Sequence, residues 1–432
     1  LEDGRLNPYQ QLLLRSLEGA KSYHRLADLL RSHENIVVAH GLRAGASSLV
    51  FARLMQDFPD RPLLILTANN DQADALMDDF AFFGTEGALE YPRWDSLPFE
   101  EEEPIVEVAA QQLDALAALA AYADNKKTAS PPRIIAPIEA LLRKTLSNAD
   151  FLRLALHFEW GDRVDLNTLP ERLLGLGFER VSMIEGRGEF SIRGGIVDIF
   201  PLNCENPIRL DLFGDEIESI RYFDVVSQRS IKENSEVERI DIHPARLNWL
   251  YNQQALSGAQ LQPFLSLFPE DTLLIALDPE GYEMRLQRFD GMVERQHRQA
   301  LDEQAQNEVP QEIPSPRQLF LAREEAEKGL NNFRRLIATN LPIPDAEAHR
   351  TVTFNTSSFE AVEANLETHL RLIAQRQADG YGVHVVCDNE GQVERLDEVF
   401  RERGLSAQVL TGPNGPANYR PRDVMEGYSD IT

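Results

Sequence analysis

Glu189–Pro201, EFSIRGGIVDIFP, and Pro207–Ser219, PIRLDLFGDEIES, are the segments on which the reading of the fold turns. Successive side chains of a strand point to opposite faces. Phe190 and Ile192 therefore share one face, and Ser191 and Arg193 take the other. Gly194-Gly195 supplies the positive φ angles of a tight hairpin turn. In the second segment Ile208, Leu210 and Leu212 form one face, and Arg209, Asp211 and Phe213 form the opposite one. Gly214-Asp215 is a further turn signal. With the Ile/Leu face as the core, Arg209 and Phe213 lie outside it on the same side of one strand. An exposed aromatic beside arginines on rigid strands has the composition of an interface hot spot. The alternative has Phe213 covering the edge of a small core while the arginines pair with Asp211 or Glu189. Ile217–Asp224 alternates less cleanly, which predicts a bulge that shifts the register there.

Outward from this β-rich stretch, the chain reads as α/β on both sides. Pro8–Arg31 carries apolar residues at helical spacing, Ile36–Ala39 is a short buried strand, and a helix runs from about Ser47 to Asp57. Leu63–Thr67 is a second strand, and Asn70 or Asp71 caps the helix over DQADALMDDFAFF. An alanine-rich helix covers about Val106–Tyr122, and a polar linker leads to the strand Arg133–Ala136. After the β stretch, DTLLIALD is again a strand and Glu283–Glu308 a long charged helix. The last part reads as strand Thr351–Phe354, helix Phe359–Ala378, strand Val383–Cys387 and helix Glu390–Gly404. Strands alternating with helices imply a mostly parallel sheet covered on both faces.

The chain has 432 residues, enough for two to four units of ordinary size. Its formal net charge of −27 is the opposite of a phosphate-binding surface; it reads either as a solvated acidic surface that aids solubility or as the mark of a chain whose partners are proteins. The two cysteines, Cys204 and Cys387, suit a reducing cytoplasm and exclude a disulfide scaffold, and the nine histidines show no metal-ligand spacing. No apolar run approaches the roughly 18 residues needed to span a bilayer, so no membrane role is expected. The sequence begins without Met and has no secretory signal, and it reads as a piece of a longer protein.

The string MIEGRGEFSIRGGIVDIFP, followed by IRLDLFGDEIESIRYFDVVSQRS, closely resembles a signature shared by bacterial UvrB and the transcription-repair coupling factors. In those families the corresponding domain binds UvrA, the damage-recognition ATPase of nucleotide excision repair. The resemblance assigns UvrA binding to Arg193, Arg209 and Phe213, with Arg187 and Glu189 in the same string. Three of these are the residues that alternation alone places outside the core.

UvrB and the helicases carry a strand, a G-x-x-x-x-G-K-[ST] loop and a helix, which hold a nucleotide phosphate and Mg²⁺. IVVAHGLRAGASSLVF stands at that place. Gly41 takes the first glycine, Ala46 the second, Ser47 replaces the lysine and Ser48 keeps the hydroxyl, while Gly45 lets the loop keep its shape. The local charge compensation for a triphosphate is lost, and Ala46 adds a Cβ where the backbone must approach closely. The Asp-Glu pair that ends a strand in UvrB-type domains is also broken. Asp278 sits at that position, Pro279 follows, and Glu280 is one residue late. Two losses argue for a dead site. The stretch after Trp94 has four consecutive glutamates, Glu100–Glu103, and no tyrosine-rich basic hairpin of the kind with which UvrB clamps DNA.

The expected fold class is α/β: a helicase-like, P-loop NTPase-type parallel-sheet domain without its nucleotide site. A β-rich UvrB-like unit is inserted in it, and a small C-terminal α/β domain follows. The expected boundaries are 1–150, 151–243, 244–345 and 346–432. The resemblance implies the non-catalytic N-terminal module of a coupling factor, located in the cytoplasm, with no cofactor in this fragment. ATP, Mg²⁺, DNA and RNA polymerase would be bound only by domains absent here, including an ATP-dependent translocase motor. The module is expected to recruit UvrA, and a further reading has it contact that motor and hold it inactive. The alternative is an excision-repair ATPase of the UvrB kind.

Overall fold

The computed structural model describes residues 8–32, 34–43, 45–94, 97, 99, 105–231, 236–245, 261–305, 313–341, 350–357, 366–385, 387 and 389–409. The glutamate run Glu100–Glu103 lies outside them.

The helically spaced N-terminal stretch forms α1 (Pro8–Ser16) and α2 (Lys21–Arg31), separated by a short turn at Leu17–Gly19 and the extended Ala20. Then come β1 (Ile36–His40), α3 (Gly45–Asp57), β2 (Leu63–Thr67), α4 (Asn70–Phe82), β3 (Ala88–Glu90), α5 (Val106–Asp124) and β4 (Arg133–Pro137). The cap of α4 is Asn69, whose Oδ1 accepts the Gln72 N–H at 3.0 Å, and not Asn70 or Asp71 as the sequence suggested. Asn70 is committed elsewhere: its amide exchanges two hydrogen bonds with the backbone of Arg93, at 3.0 and 3.1 Å.

The middle of the chain contains β5 (Lys144–Thr145), α6 (Asn148–Leu154), β6 (Leu156–Glu159), α7 (Leu169–Gly175), β7 (Glu179–Arg180), β8 (Glu189–Arg193), β9 (Ile196–Ile199), β10 (Ile208–Phe213), β11 (Glu216–Tyr222) and β12 (Arg239–Ile242). The remainder holds β13 (Gln262–Pro263), β14 (Leu273–Leu277), α8 (Tyr282–Gln304), α9 (Pro316–Leu319), α10 (Arg323–Leu330), β15 (Arg334–Thr339), β16 (Thr351–Thr353), α11 (Leu366–Ala378) and α12 (Glu390–Glu402). The strand expected at Val383–Cys387 is not formed at 383–385. Val385 is 46% exposed there, so no buried surface drives strand pairing.

Seven strands form one sheet in the order β16-β1-β15-β14-β2-β4-β3. The β1–β16, β14–β2, β2–β4 and β3–β4 pairings are parallel. β2 and β14 are buried at every residue and apolar but for Thr67 at the end of β2, as suits central parallel strands covered on both faces. Five further strands form a second sheet, β11-β10-β9-β8-β7, which is antiparallel except for the β7–β8 pair.

The chain divides into two compact units, one of Leu1–Phe58, Leu76–Glu86 and Ala338–Thr432, the other of Pro59–Ala75 and Gly87–Ile337. In the first, α1 packs on α3, and α2 packs on β1 and β16. Tyr23 donates its hydroxyl to Asp57 at 2.7 Å, and Arg53 Nε lies 3.1 Å from the same carboxylate.

In the second unit one apolar core runs from β2, β4 and α5 into the inner face of the five-stranded sheet, through Phe190, Val197, Ile199, Ile208, Leu210, Ile217 and Ile220. Each such side chain contributes roughly 1.5–3 kcal/mol on burial. The buried Gln112 of α5 accepts from the Trp94 indole at 2.6 Å and donates to Pro92 O at 2.7 Å, which fixes the tryptophan loop to α5. Among the described residues no helix is long and apolar enough to cross a membrane.

Candidate functional site

The β8–β9 and β9–β10 registers place Ser191, Asp198 and Arg209 in one row across the outer face of the five-stranded sheet, with Arg221 of β11 next in line. Asp198 is the hub of that row. Its side chain is 1% exposed and receives Arg193 Nη2 at 2.7 Å, Arg209 Nε at 2.7 Å and Arg209 Nη2 at 3.0 Å. The hydrogen bonds that Arg209 donates to Asp198 raise the Arg209 pKa above its ordinary value against the opposing effect of burial. The Arg209 guanidinium also lies 4.4 Å from the centre of the Phe223 ring. Arg221 pairs with Asp211, which accepts from Ser219 as well.

At one end of this face Ile184, Phe200 and Phe223 form a small second core, with Val181 and Val225 packed against it. At the other end Phe213 closes β10 with 76% of its surface exposed. The face thus grades from a covered apolar cluster, through paired charges, to an open aromatic ring. Phe213 covers no core edge. The arginines do pair, as the alternative reading held, but with Asp198 in place of Asp211 or Glu189.

Two turns set this geometry. Gly194 takes a φ of +61°, whereas Gly195 has no positive φ and is needed for space: a Cβ there would come within 2.8 Å of the Leu212 carbonyl oxygen. The expected bulge lies in β11, where Asp211 faces Ser219 but Leu212 faces Ile217, so Glu218 is the extra residue.

Arg187 and Glu189 are not part of the Asp198 cluster. Glu189 Oε2 accepts the N–H groups of Glu185 and Gly186 at 2.7 and 2.9 Å, so this carboxylate organises the loop before β8. The Arg187 charge acts on Asp114 of α5 and on Cys204. Burial raises the Asp114 pKa, with Asn203 (3.0 Å) and Arg187 opposing it; burial and the Asp114 charge push the Cys204 thiol up to about 11.

In the first unit the glycine-bearing loop after β1 is tied down by the chain itself. Gly41 has a φ of +83° and donates its N–H to Thr339 O at 2.9 Å. Thr356 donates its hydroxyl to Gly41 O at 2.6 Å and accepts the Arg43 N–H at 2.9 Å. Phe354 N–H bonds His40 O at 2.7 Å, and a Cβ on Gly41 would stand 2.2 Å from Phe354 O. Helix α3 starts at Gly45, earlier than the expected Ser47. Ala46 therefore lies inside its first turn, and Ser47 and Ser48 are buried at 5% and 4% exposure. The Ser48 hydroxyl donates to Asp79. In the second unit Asp278 takes a left-handed conformation (φ +47°), and Pro279–Gly281 turns directly after it, so Glu280 sits in a turn and not on the strand. Among the described residues no group of three or more His, Cys, Asp or Glu side chains is placed to hold a metal ion.

Sequence reasoning missed Asp198, Thr356 and Asp79. Only Asp198 left a signal: it alternates with Val197 and Ile199 and so falls on the side of Arg193 and Arg209. The contacts of Thr356 and Asp79 join residues 315 and 31 positions apart, beyond any local pattern.

A family model described as UvrB interaction domain matches residues 156–247, which hold the five-stranded sheet and β12. The transcription-repair-coupling factor of Myxococcus xanthus is 27% identical over 479 aligned residues, covering 95% of this chain and 39% of that protein. That of Escherichia coli (strain K12) is 24% identical over 424 residues, covering 88% of this chain and 35% of the relative. That of Bacillus subtilis (strain 168) is 32% identical over 205 residues, 47% of this chain and 16% of the relative. The chain thus spans less than two fifths of the length of these curated relatives. It is a homologue of the transcription-repair-coupling factors over their N-terminal region and carries a UvrB interaction domain.

Proposed function

We propose that this homologue of the transcription-repair-coupling factors is a non-catalytic adaptor module. Its β-rich insertion docks UvrA and so brings excision repair to RNA polymerase stalled at DNA damage in the bacterial cytoplasm. The observation that carries this reading is Phe213: a large aromatic ring, 76% exposed, fixed on the last residue of a rigid strand inside the matched interaction domain. Interface hot spots are built from such rings, surrounded by arginines and backed by immobile structure. Arg193, 47% exposed, is the cation of the Asp198 cluster that solvent reaches more; Arg209, 15% exposed, holds the face together from beneath. The net charge of −27 agrees with a protein partner and not with a grip on nucleic acid.

The body carrying this insertion is proposed to be a helicase-like fold whose nucleotide loop has become a structural joint. The Gly41 amide, the Arg43 amide and the Ser48 hydroxyl all have partners within the chain, and no lysine follows Ala46. Binding is then the remaining task of the module.

The test is a calorimetric titration of the chain with purified UvrA, with Phe213→Ala as the decisive variant. Saturable heat that vanishes with Phe213→Ala supports the reading. Equal affinity in the folded variant removes Phe213 from the interface. Arg209→Glu is the poorer probe, because it breaks a buried ion pair and tests folding as much as docking.

A further inference from the structure

We infer that Trp160, with the carboxylates around it, is a second anchor of the same docking module and receives a guanidinium or ammonium group from the partner. The inference rests on the adaptor reading given above. Trp160 follows β6 directly and is 68% exposed, yet it is not loose. Its indole N–H donates to Glu218 O at 2.9 Å, and its backbone N–H donates to Glu238 O at 2.9 Å. The next residues continue the attachment: Gly161 N–H bonds Ile217 O at 3.0 Å, and Ile217 N–H bonds Asp162 O at 2.9 Å. The ring is thus held on the edge of β11 by its polar atoms while its apolar surface faces water. A tryptophan in that state contributes little to the core and much to an interface, where its kind is enriched.

The surroundings select the ligand chemistry. Glu159, Asp162, Glu216, Glu218 and Glu238 are all exposed around the indole's attachment points. The nearby cations have partners: Arg163 lies 3.6 Å from Asp215, and Arg239 lies 3.2 Å from Asp241. An aromatic face among surplus carboxylates suits a cation, since tryptophan is the strongest π acceptor for Lys or Arg and the carboxylates draw that group in. The site is continuous with the Phe213 face. Ile217, which bonds the Trp160 segment, is the register partner of Leu212, the residue before Phe213. The β10–β11 hairpin therefore carries an apolar ring at Phe213 and holds a cation-accepting ring through the Trp160 segment bonded to β11.

Calorimetry with purified UvrA on the full 432-residue chain tests this. Trp160→Ala is expected to weaken binding about tenfold or more, with Trp160→Phe in between. Glu216→Lys/Glu218→Lys changes exposed side chains only; it is expected to weaken binding as well and to flatten its salt dependence. Wild-type affinity in this double variant or in folded Trp160→Ala, with binding lost in Phe213→Ala, would overturn the second anchor and leave the adaptor reading standing. Absence of UvrA binding by the wild-type chain would overturn both.

Discussion

Arg209 reaches across the β9–β10 pair to the buried carboxylate of Asp198 with two nitrogens, Nε at 2.7 Å and Nη2 at 3.0 Å. Removing one partner of such a pair strands the other charge, which costs about 3–5 kcal/mol, whereas a half-exposed partner is worth about 1 kcal/mol or less. Asp198→Ala is therefore expected to lower unfolding stability by several kcal/mol, and Arg193→Ala by a fraction of that. Urea denaturation of the two variants checks the ranking. An Asp198→Ala protein as stable as Arg193→Ala would show that the cluster is not a structural hub.

Phe213 makes the opposite prediction. Exposed surface residues change stability by within about 0.5 kcal/mol, and hot-spot rings contribute about 2 kcal/mol or more to binding. Phe213→Ala is expected to melt at the wild-type temperature and to lose at least about tenfold in UvrA affinity. A drop in melting temperature together with unchanged affinity would reverse the assignment.

Gly41 and Thr356 predict that the old nucleotide loop now serves stability. Gly41→Ala places a Cβ 2.2 Å from Phe354 O at a φ of +83°, and Thr356→Val removes a hydroxyl that serves two backbone groups. Each is expected to destabilise the first unit by about 1–3 kcal/mol. Hydrogen exchange in β1 and β16 measures it, and unchanged protection in both variants would contradict the joint.

Nucleotide titration separates a lost lysine from a rebuilt loop. With Mg²⁺ present, the wild-type chain is expected to give no saturable ATP binding. Ser47→Lys is not expected to restore it, because position 47 is 5% exposed and the neighbouring hydroxyl of Ser48 is engaged by Asp79. Saturable binding by Ser47→Lys would mean that the lysine was all that was missing.

His243 gives the second unit an acid limit. Burial against Phe151, whose ring centre is 4.8 Å away, pushes its pKa down from 6.5 to about 4, with Asp241 opposing and His157 adding. As pH falls through 6.5 the unfolded chain takes up a proton, and the folded chain does so only near 4, so stability present above 6.5 is lost between those values. At 1.36 kcal/mol per unit the loss approaches about 3 kcal/mol. His243→Phe is expected to flatten the decline seen in urea midpoints between about pH 7 and 4.5. An equal slope in the variant would move the origin to other groups.

Much of this was legible in the sequence because the decisive signals are local. The period of two in β10 put Arg209 and Phe213 on one side, and the disturbed alternation after Ile217 located the bulge. Phe213 proved open where Arg209 proved covered, because alternation reports direction and not depth. Segment 223–228, which returns to cover Arg209 through Phe223 and the Gln228 carbonyl, has no periodic trace. The cap of α4 was misplaced by one residue for a similar reason: Asn69, Asn70 and Asp71 are all competent caps, and the contact of Asn70 with Arg93 decided between them.

The extra residue in β11 has an evolutionary corollary. Ile217 and Ile220 are three positions apart, an odd interval, and both reach the core only because Glu218 is skipped in the ladder. A strand shortened by Glu218 would pair without a break and keep Ile217 and Ile220 on the core face, so the sheet itself does not require the extra residue. Its deletion would instead take away the backbone carbonyl that receives the Trp160 indole N–H. Length at this position is therefore expected to be held by the exposed ring and not by the hairpin that carries it.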